Sequence, residues 1–281
     1  MAVYDVNGNI ISGESGSIPV ADGVKIRKVN SINHRGYNYT APENTIPAFK
    51  LSKTNGFDMV ETDVLFTSDN IPVLLHDTTI NRTGRNADGT TIETTISIKD
   101  ITYEQALEYD FGVWKSQTYA GTKIPTLEEF LILCKNLAMH PYIEIKNDGS
   151  YSNEQIQIIT DLVEDCGMLG CVTYISFKFD YLTKIANLVP SARIGLLVNS
   201  LTQAGVNNAL SLKNGQNDVF IDTGYSPSAL PDVSLARNAN VPLEIWTVST
   251  ASWITNMDAY ITGVTSNSLV ASDVLYNANI S

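Results

Sequence analysis

The chain holds three histidines, His34, His76 and His140, and two of them close short apolar runs. His34 ends "KVNSIN" and precedes Arg35-Gly36; His76 ends "IPVLL" and precedes Asp77. An imidazole near its ordinary pKa can act as acid or base at neutral pH. One such residue is as readily a hydrogen-bonded structural histidine. Two at strand ends, each followed by a charged residue, point to proton transfer. Glu61 and Asp63 stand two apart in an apolar run, so in a strand they share one face. Two carboxylates buried together need a cation beside them, and an oxygen-only ligand set suits a hard ion, Mg²⁺ or Ca²⁺. A solvated edge strand is the other reading, which the neighbours Met59, Val60, Val64 and Leu65 oppose. Glu144 and Lys146 also share a face, at the end of "HPYIEIK". Glu144 can complete the ligand set and Lys146 can meet a phosphate oxygen, or the two can form an internal salt bridge. Arg35 has a fork suited to phosphate, against a surface pair with Glu43. Gly36 permits close backbone approach, and Trp246 is either an apolar wall for a substrate or core. Taken together, these groups fit metal-assisted phosphoryl chemistry.

Such groups need strand ends to hold them. Apolar, β-branched runs predict strands over 28–33, 59–66, 72–75, 141–145, 172–177, 193–198, 218–221, 243–248 and 261–264. Amphipathic stretches predict helices over 44–55, 126–137, 152–166, 181–188, 202–212, 228–237 and 251–257. Thr126-Leu-Glu-Glu after Pro125 has the form of a capped helix start. The alternation fits an α/β fold, a somewhat distorted TIM-type (β/α)8 barrel over 25–281. Nine strands is one too many for eight, and the link from 66 to 72 is too short for a helical crossover. The 72–75 strand is therefore expected antiparallel to 59–66, with Asp69-Asn70 as the turn. Residues 77–124, rich in Thr, Asn, Gly and Asp, read as an inserted subdomain with a short helix near 102–109. Residues 1–24 read as a polar leader or β-arm, with "DVNGN" as a hairpin turn.

Composition narrows the partners. Of 281 residues, 43% are apolar and 17% charged, which allows one large core and argues against disorder. With 18 basic and 30 acidic residues the net charge is −12, and no basic cluster stands out, so nucleic acid and anionic membranes are poor partners. The three cysteines, Cys134, Cys166 and Cys171, imply buried free thiols and not a disulfide framework. The first residues lack the pattern of a signal peptide, and no run approaches the roughly 20 apolar residues of a membrane span. The expectation is a soluble protein, cytoplasmic by default, without stable membrane insertion; oligomeric state is not legible.

In this order the pieces resemble the glycerophosphodiester phosphodiesterase family. The matching stretches are His34-Arg35-Gly36, Ala41-Pro-Glu-Asn-Thr45 with Ala48-Phe49, Glu61-Thr-Asp-Val64, Thr67-Ser-Asp-Asn70 and His76-Asp77. Thr83-Gly84, Pro125-Thr-Leu-Glu-Glu129, Glu144-Ile-Lys146, Ser176-Phe177 and Trp246-Thr-Val248 follow. The resemblance implies a TIM-type barrel with a small insertion after the His-Asp motif. It implies His34 and His76 as general acid and base, and Glu61, Asp63 and Glu144 as ligands of one divalent cation, Mg²⁺ or Ca²⁺. Arg35 and Lys146 would bind phosphate and Trp246 would line the pocket; the products would be glycerol 3-phosphate and an alcohol. The chain departs from the pattern at Thr265-Ser266-Asn267, which lacks a following proline, and at Asn70, where glycine is commoner. Alternatives are a phospholipase D- or sphingomyelinase D-like phosphodiesterase, and a virion- or surface-associated barrel that acts on or binds glycerophosphate wall polymers.

Overall fold

The computed structural model describes residues 3–4, 10–11, 29–146, 151–226, 228, 230–254, 257–267 and 269. Strands β1 (Val3–Tyr4) and β2 (Ile10–Ile11) pair antiparallel, and the expected DVNGN turn lies outside the described residues. The remaining strands are β3 (Asn30–Asn33), β4 (Met59–Phe66), β5 (Pro72–Leu74), β6 (His140–Ile145), β7 (Thr173–Ser176), β8 (Arg193–Val198), β9 (Asp218–Gly224), β10 (Leu243–Val248) and β11 (Ile261–Ser266). Their order is β3-β11-β10-β9-β8-β7-β6-β4-β5, and β3 also pairs β4, so eight parallel strands close into a barrel. Strand β5 runs antiparallel on β4, with Val64 opposite Leu74, as the short link requires. Asn70 turns that corner at φ 61°, a left-handed conformation Asn tolerates.

Helices α1 (Ile46–Thr54), α2 (Tyr103–Ala106), α3 (Leu127–Leu137), α4 (Asn153–Asp165), α5 (Phe179–Leu188), α6 (Gln203–Leu212) and α7 (Ser234–Asn238) follow the chain. Thr126 and Glu129 form a reciprocal capping box that starts α3. Two helices are shorter than their sequence patterns suggest. α7 spans only Ser234–Asn238; Pro231 lies inside the predicted run and cannot donate to a preceding turn. The predicted helix over 251–257 is a single 3-10 turn, Ala251–Trp253, with residues 255 and 256 outside the described set. Lys28, at the start of the first predicted barrel strand, also lies outside it.

Inside the barrel, Ile32, Tyr142, Ile175, Leu197 and Phe220 form a buried layer. Gly195 makes room for it: a Cβ there would meet Phe220 Cζ at 2.3 Å. Beneath this layer Arg193 pairs Glu244 at 2.9 Å, and Asn30 also donates to Glu244 at 3.0 Å. The larger core fills the space between strands and helices. A separate cluster joins Leu65, Val73 and Leu75 to Ile80, Ile92, Ile98, Ala106, Phe111 and Ile124. It anchors residues 77–124 over β4 and β5. All three cysteines are free, but only Cys134 is buried and Cys171 is exposed, so the expectation of buried thiols holds for one of three. Among the described residues no helix is long and apolar enough to cross a membrane.

Candidate active site

Side chains two apart on each barrel strand point inward, and the register decides which meet. Asp63 of β4 lies opposite Glu144 of β6. Glu61, Asp63 and Glu144 are all buried and offer carboxylate oxygens within 4.8 Å of one another. Their surroundings differ. Asp63 accepts from Asn44 Nδ2 at 2.8 Å and lies 3.0 Å from Arg35 Nε and 3.2 Å from Lys146 Nζ. Burial alone would raise the Asp63 carboxyl; Arg35 and Lys146 outweigh it and hold the group far below the usual carboxylate range. Glu61 Oε2 accepts from the Arg35 backbone N–H at 2.9 Å, whereas Oε1 is buried with no hydrogen-bond partner. Burial, then Asp63 and Glu144, push Glu61 well above its ordinary value. Burial and Asp63 likewise raise Glu144 to about 7, although Lys146 Nζ lies 3.0 Å away.

An unpartnered buried oxygen beside two more carboxylates is the signature of a missing positive charge. The donors are all oxygen, so the three residues fit a hard divalent cation. The solvated edge-strand reading of Glu61 and Asp63 is excluded by their burial, 2% and 0% exposed.

His34 lies past the end of β3, and its backbone N–H donates to Ser266 O of β11 at 2.9 Å. Its Nδ1 is 2.5 Å from Asn267 Oδ1, which leaves Nε2 turned toward Glu61 Oε2 at 3.9 Å. Burial, and then Arg35, lower the His34 imidazole to about 4, not the near-reference value expected of a strand end. His76 Nδ1 lies 2.6 Å from Asp77 Oδ1. In both rings the Nδ1 partner orients the imidazole and frees Nε2. His140 lies elsewhere, at the start of β6, with Nε2 2.8 Å from Thr173 Oγ1.

Arg35 does meet Glu43, at 3.0 Å, but this is no surface pair: the two side chains are 16% and 12% exposed. Glu43 also accepts from Arg82 at 2.8 and 3.0 Å, and Arg82 in turn pairs Asp77. One network thus runs from Asp63 through Arg35, Glu43, Arg82 and Asp77 to His76. Gly36 allows it, with φ 77° and an added Cβ falling 2.7 Å from Ala48 Cβ.

Sequence reasoning placed no role on Asn44, Asn267, Asp77, Arg82 or Asp222. Asn44 and Asp77 sit inside quoted motifs and Asn267 in the stretch that departs from the pattern, so their signal is in the sequence; Arg82 and Asp222 carry none until the barrel closes. A cavity of ≈ 220 Å³ is lined by His34, Arg35, Glu61, His76, Glu144, Lys146, Asp222 and Trp246, among others. Trp246 forms a wall, with Nε1 donating to Asp222 O at 3.1 Å and its ring edge-on to Phe177 at 5.5 Å.

The profile of the glycerophosphoryl diester phosphodiesterase family matches residues 34–269. A glycerophosphodiester phosphodiesterase of Caldanaerobacter subterraneus subsp. tengcongensis is 32% identical over 166 residues, 59% of this chain and 65% of that protein. Human glycerophosphodiester phosphodiesterase 1 is 34% identical over 132 residues, 46% of this chain and 38% of its own length. The matches thus span less than two thirds of these relatives. Among solved structures, an Oleispira antarctica phosphodiesterase in complex with the product sn-glycerol-3-phosphate superposes with TM-score 0.76 at 22% identity, covering 89% of this chain and 96% of that one. A putative glycerophosphoryl diester phosphodiesterase of Silicibacter pomeroyi gives 0.75 at 21%, covering 91% and 95%. These two share the barrel fold. With the profile covering most of the chain, this protein belongs to the glycerophosphoryl diester phosphodiesterase family.

Proposed function

We propose that the protein hydrolyses soluble, deacylated glycerophosphodiesters to glycerol 3-phosphate and an alcohol. The observation that carries this is the convergence of two histidines, Arg35, Lys146, Glu61 and Glu144 on one cavity, with the buried Asp63 grouped to both glutamates. Glu61, Asp63 and Glu144 would hold one divalent cation, Mg²⁺ or Ca²⁺. Such an ion polarises a phosphoryl oxygen and offsets its developing charge. Arg35 and Lys146 bring the positive charge that attracts a phosphodiester and orients its oxygens. His34 and His76 both line the cavity, each with its Nδ1 held by a neighbour. One takes the proton of the attacking hydroxyl and the other returns a proton to the leaving oxygen. The attacking group is water or the neighbouring glycerol hydroxyl; a transient cyclic phosphate in the product mixture would identify the second route.

We place the three-carbon unit beside Trp246, in the cavity of ≈ 220 Å³. Residues 77–124 reach the site through Asp77 and Arg82, so we assign them the side that faces the departing alcohol. The experiment is a panel of glycerophosphocholine and glycerophosphoethanolamine against phospholipid vesicles, with Mg²⁺ or Ca²⁺ and after chelation. Release of glycerol 3-phosphate should require added ion and should fall roughly 10²–10⁴-fold in His34→Ala and His76→Ala. Faster turnover of vesicles than of glycerophosphocholine would reject the reading in favour of a phospholipase D-like enzyme.

A further inference from the structure

Asp222 lies in β9, two residues beyond Phe220 on the inward face. It is 1% exposed, lines the catalytic cavity, and its Oδ1 has no hydrogen-bond partner. The apolar residues Ile175, Phe177, Leu197 and Trp246 line the cavity with it, and the charged groups that bear on it are Glu244, Arg193 and Glu144. The basic groups are spent elsewhere. Arg35 and Lys146 face Asp63, and the barrel's interior arginine, Arg193, pairs Glu244 and Asp218 at 2.9 Å each.

An unpaired buried carboxyl lowers stability, and an apolar residue would fill the same place without that loss. Such a group persists where something else completes it. We infer that Asp222 is a specificity-determining residue: its carboxyl, set in the cavity wall, hydrogen-bonds a hydroxyl of the substrate's glycerol unit. This rests on the reading of the cavity as a glycerophosphodiesterase site and names the group that selects glycerol within it.

The chemistry favours a hydroxyl over a cation. Burial, and then the neighbouring Glu244, raise the Asp222 carboxyl well above its ordinary value. A carboxyl shifted in this direction favours its uncharged form, which donates one hydrogen bond and accepts another, as a hydroxyl requires. The size fits as well. The inner cavity measures ≈ 220 Å³, room for a three-carbon unit.

The test compares kcat/KM for glycerophosphoethanolamine with that for propylphosphoethanolamine, which has the same carbons and no hydroxyls. Wild type, Asp222→Ala and Asp222→Asn are measured with saturating Mg²⁺. The wild type should prefer the glycerol diester strongly. In Asp222→Ala that preference should fall about 10–100-fold, while Asp222→Asn, which keeps shape and hydrogen bonding, should retain most of it. Equal losses on both diesters, or a ratio unchanged in Asp222→Ala, overturn the inference and leave the enzyme's function standing. A wild type that hydrolyses neither diester overturns the functional reading and this one with it.

Discussion

Two carboxylates on the same strand, two residues apart, should respond to neutralisation in opposite ways. Asp63 is fully buried between Arg35 and Lys146, with a third bond from Asn44. Asp63→Asn keeps the shape but takes one of two carboxylates from each of two buried cations, Arg35 keeping Glu43 and Lys146 keeping Glu144. Breaking a buried pair of this kind costs about 3–5 kcal/mol. At roughly 2 °C per kcal/mol for a chain this long, Tm should fall about 6–10 °C. Glu61 is the reverse case. Its Oε1 has no partner, and its neighbours are two more carboxylates. Glu61→Gln removes like-charge repulsion and offers the amide's donors to them, so Tm should stay level or rise by about 2 °C, on the order of 1 kcal/mol. Both are measured by thermal and urea unfolding in chelator. Adding Mg²⁺ should then stabilise the wild type, by about 2.7 kcal/mol at a hundred times its Kd, and leave Glu61→Gln almost unmoved. If Asp63→Asn is too unstable to purify, Asp63→Asn with Lys146→Met should recover part of the loss, because one of the two under-compensated cations is gone. Equal destabilisation by both carboxylate variants in chelator would refute the electrostatic reasoning.

Other outcomes follow from particular contacts. Asn267→Ala frees His34 Nδ1 and should lower kcat about tenfold with little change in KM; Asn267→Asp should restore most of it, and a KM effect alone would contradict a positioning role. Trp246→Ala should reduce kcat/KM about 10–100-fold and Trp246→Phe much less, the outcome expected where the proposed role of its ring, edge-on to Phe177, is apolar surface for the substrate. His140 is held neutral, lowered to about 4 by burial and then Arg193. Its depressed value means the unfolded chain takes up the proton first, so its stabilising contribution is present above about pH 6.5 and disappears as pH falls toward 4. His140→Gln should therefore flatten the acid limb of the stability–pH curve by on the order of 2–3 kcal/mol while leaving turnover at pH 7.5 close to normal; an unchanged acid limb would show that His140 is not the group titrating.

Much of the site was legible because strand periodicity does not depend on the rest of the molecule. Glu61 and Asp63 share a face wherever the strand lies, and so do Glu144 and Lys146. Apolar neighbours on both sides argued that this face was covered, and the structure covers it. The short link between residues 66 and 72 likewise left β5 only the antiparallel pairing it has. Where local pattern misled, another force outweighed it. Pro231 stopped the helix predicted over 228–237, leaving α7 at Ser234–Asn238. The low value at His34 arises from burial, which a strand-end position in the sequence does not report.

What the sequence determined by itself, then, is the set of chemical groups and the strand faces that carry them, since both follow from residue type and a two-residue repeat. Closure of the barrel decided the rest. It brought β11 beside β3, and so Asn267 onto His34 across 233 positions of chain. It also linked Glu43 to Arg82, and sealed Asp222 into the same cavity as Lys146. These contacts are set by which strands become neighbours and by how much water is excluded between them. Neither quantity is local, and the electrostatic character of each group depends on both.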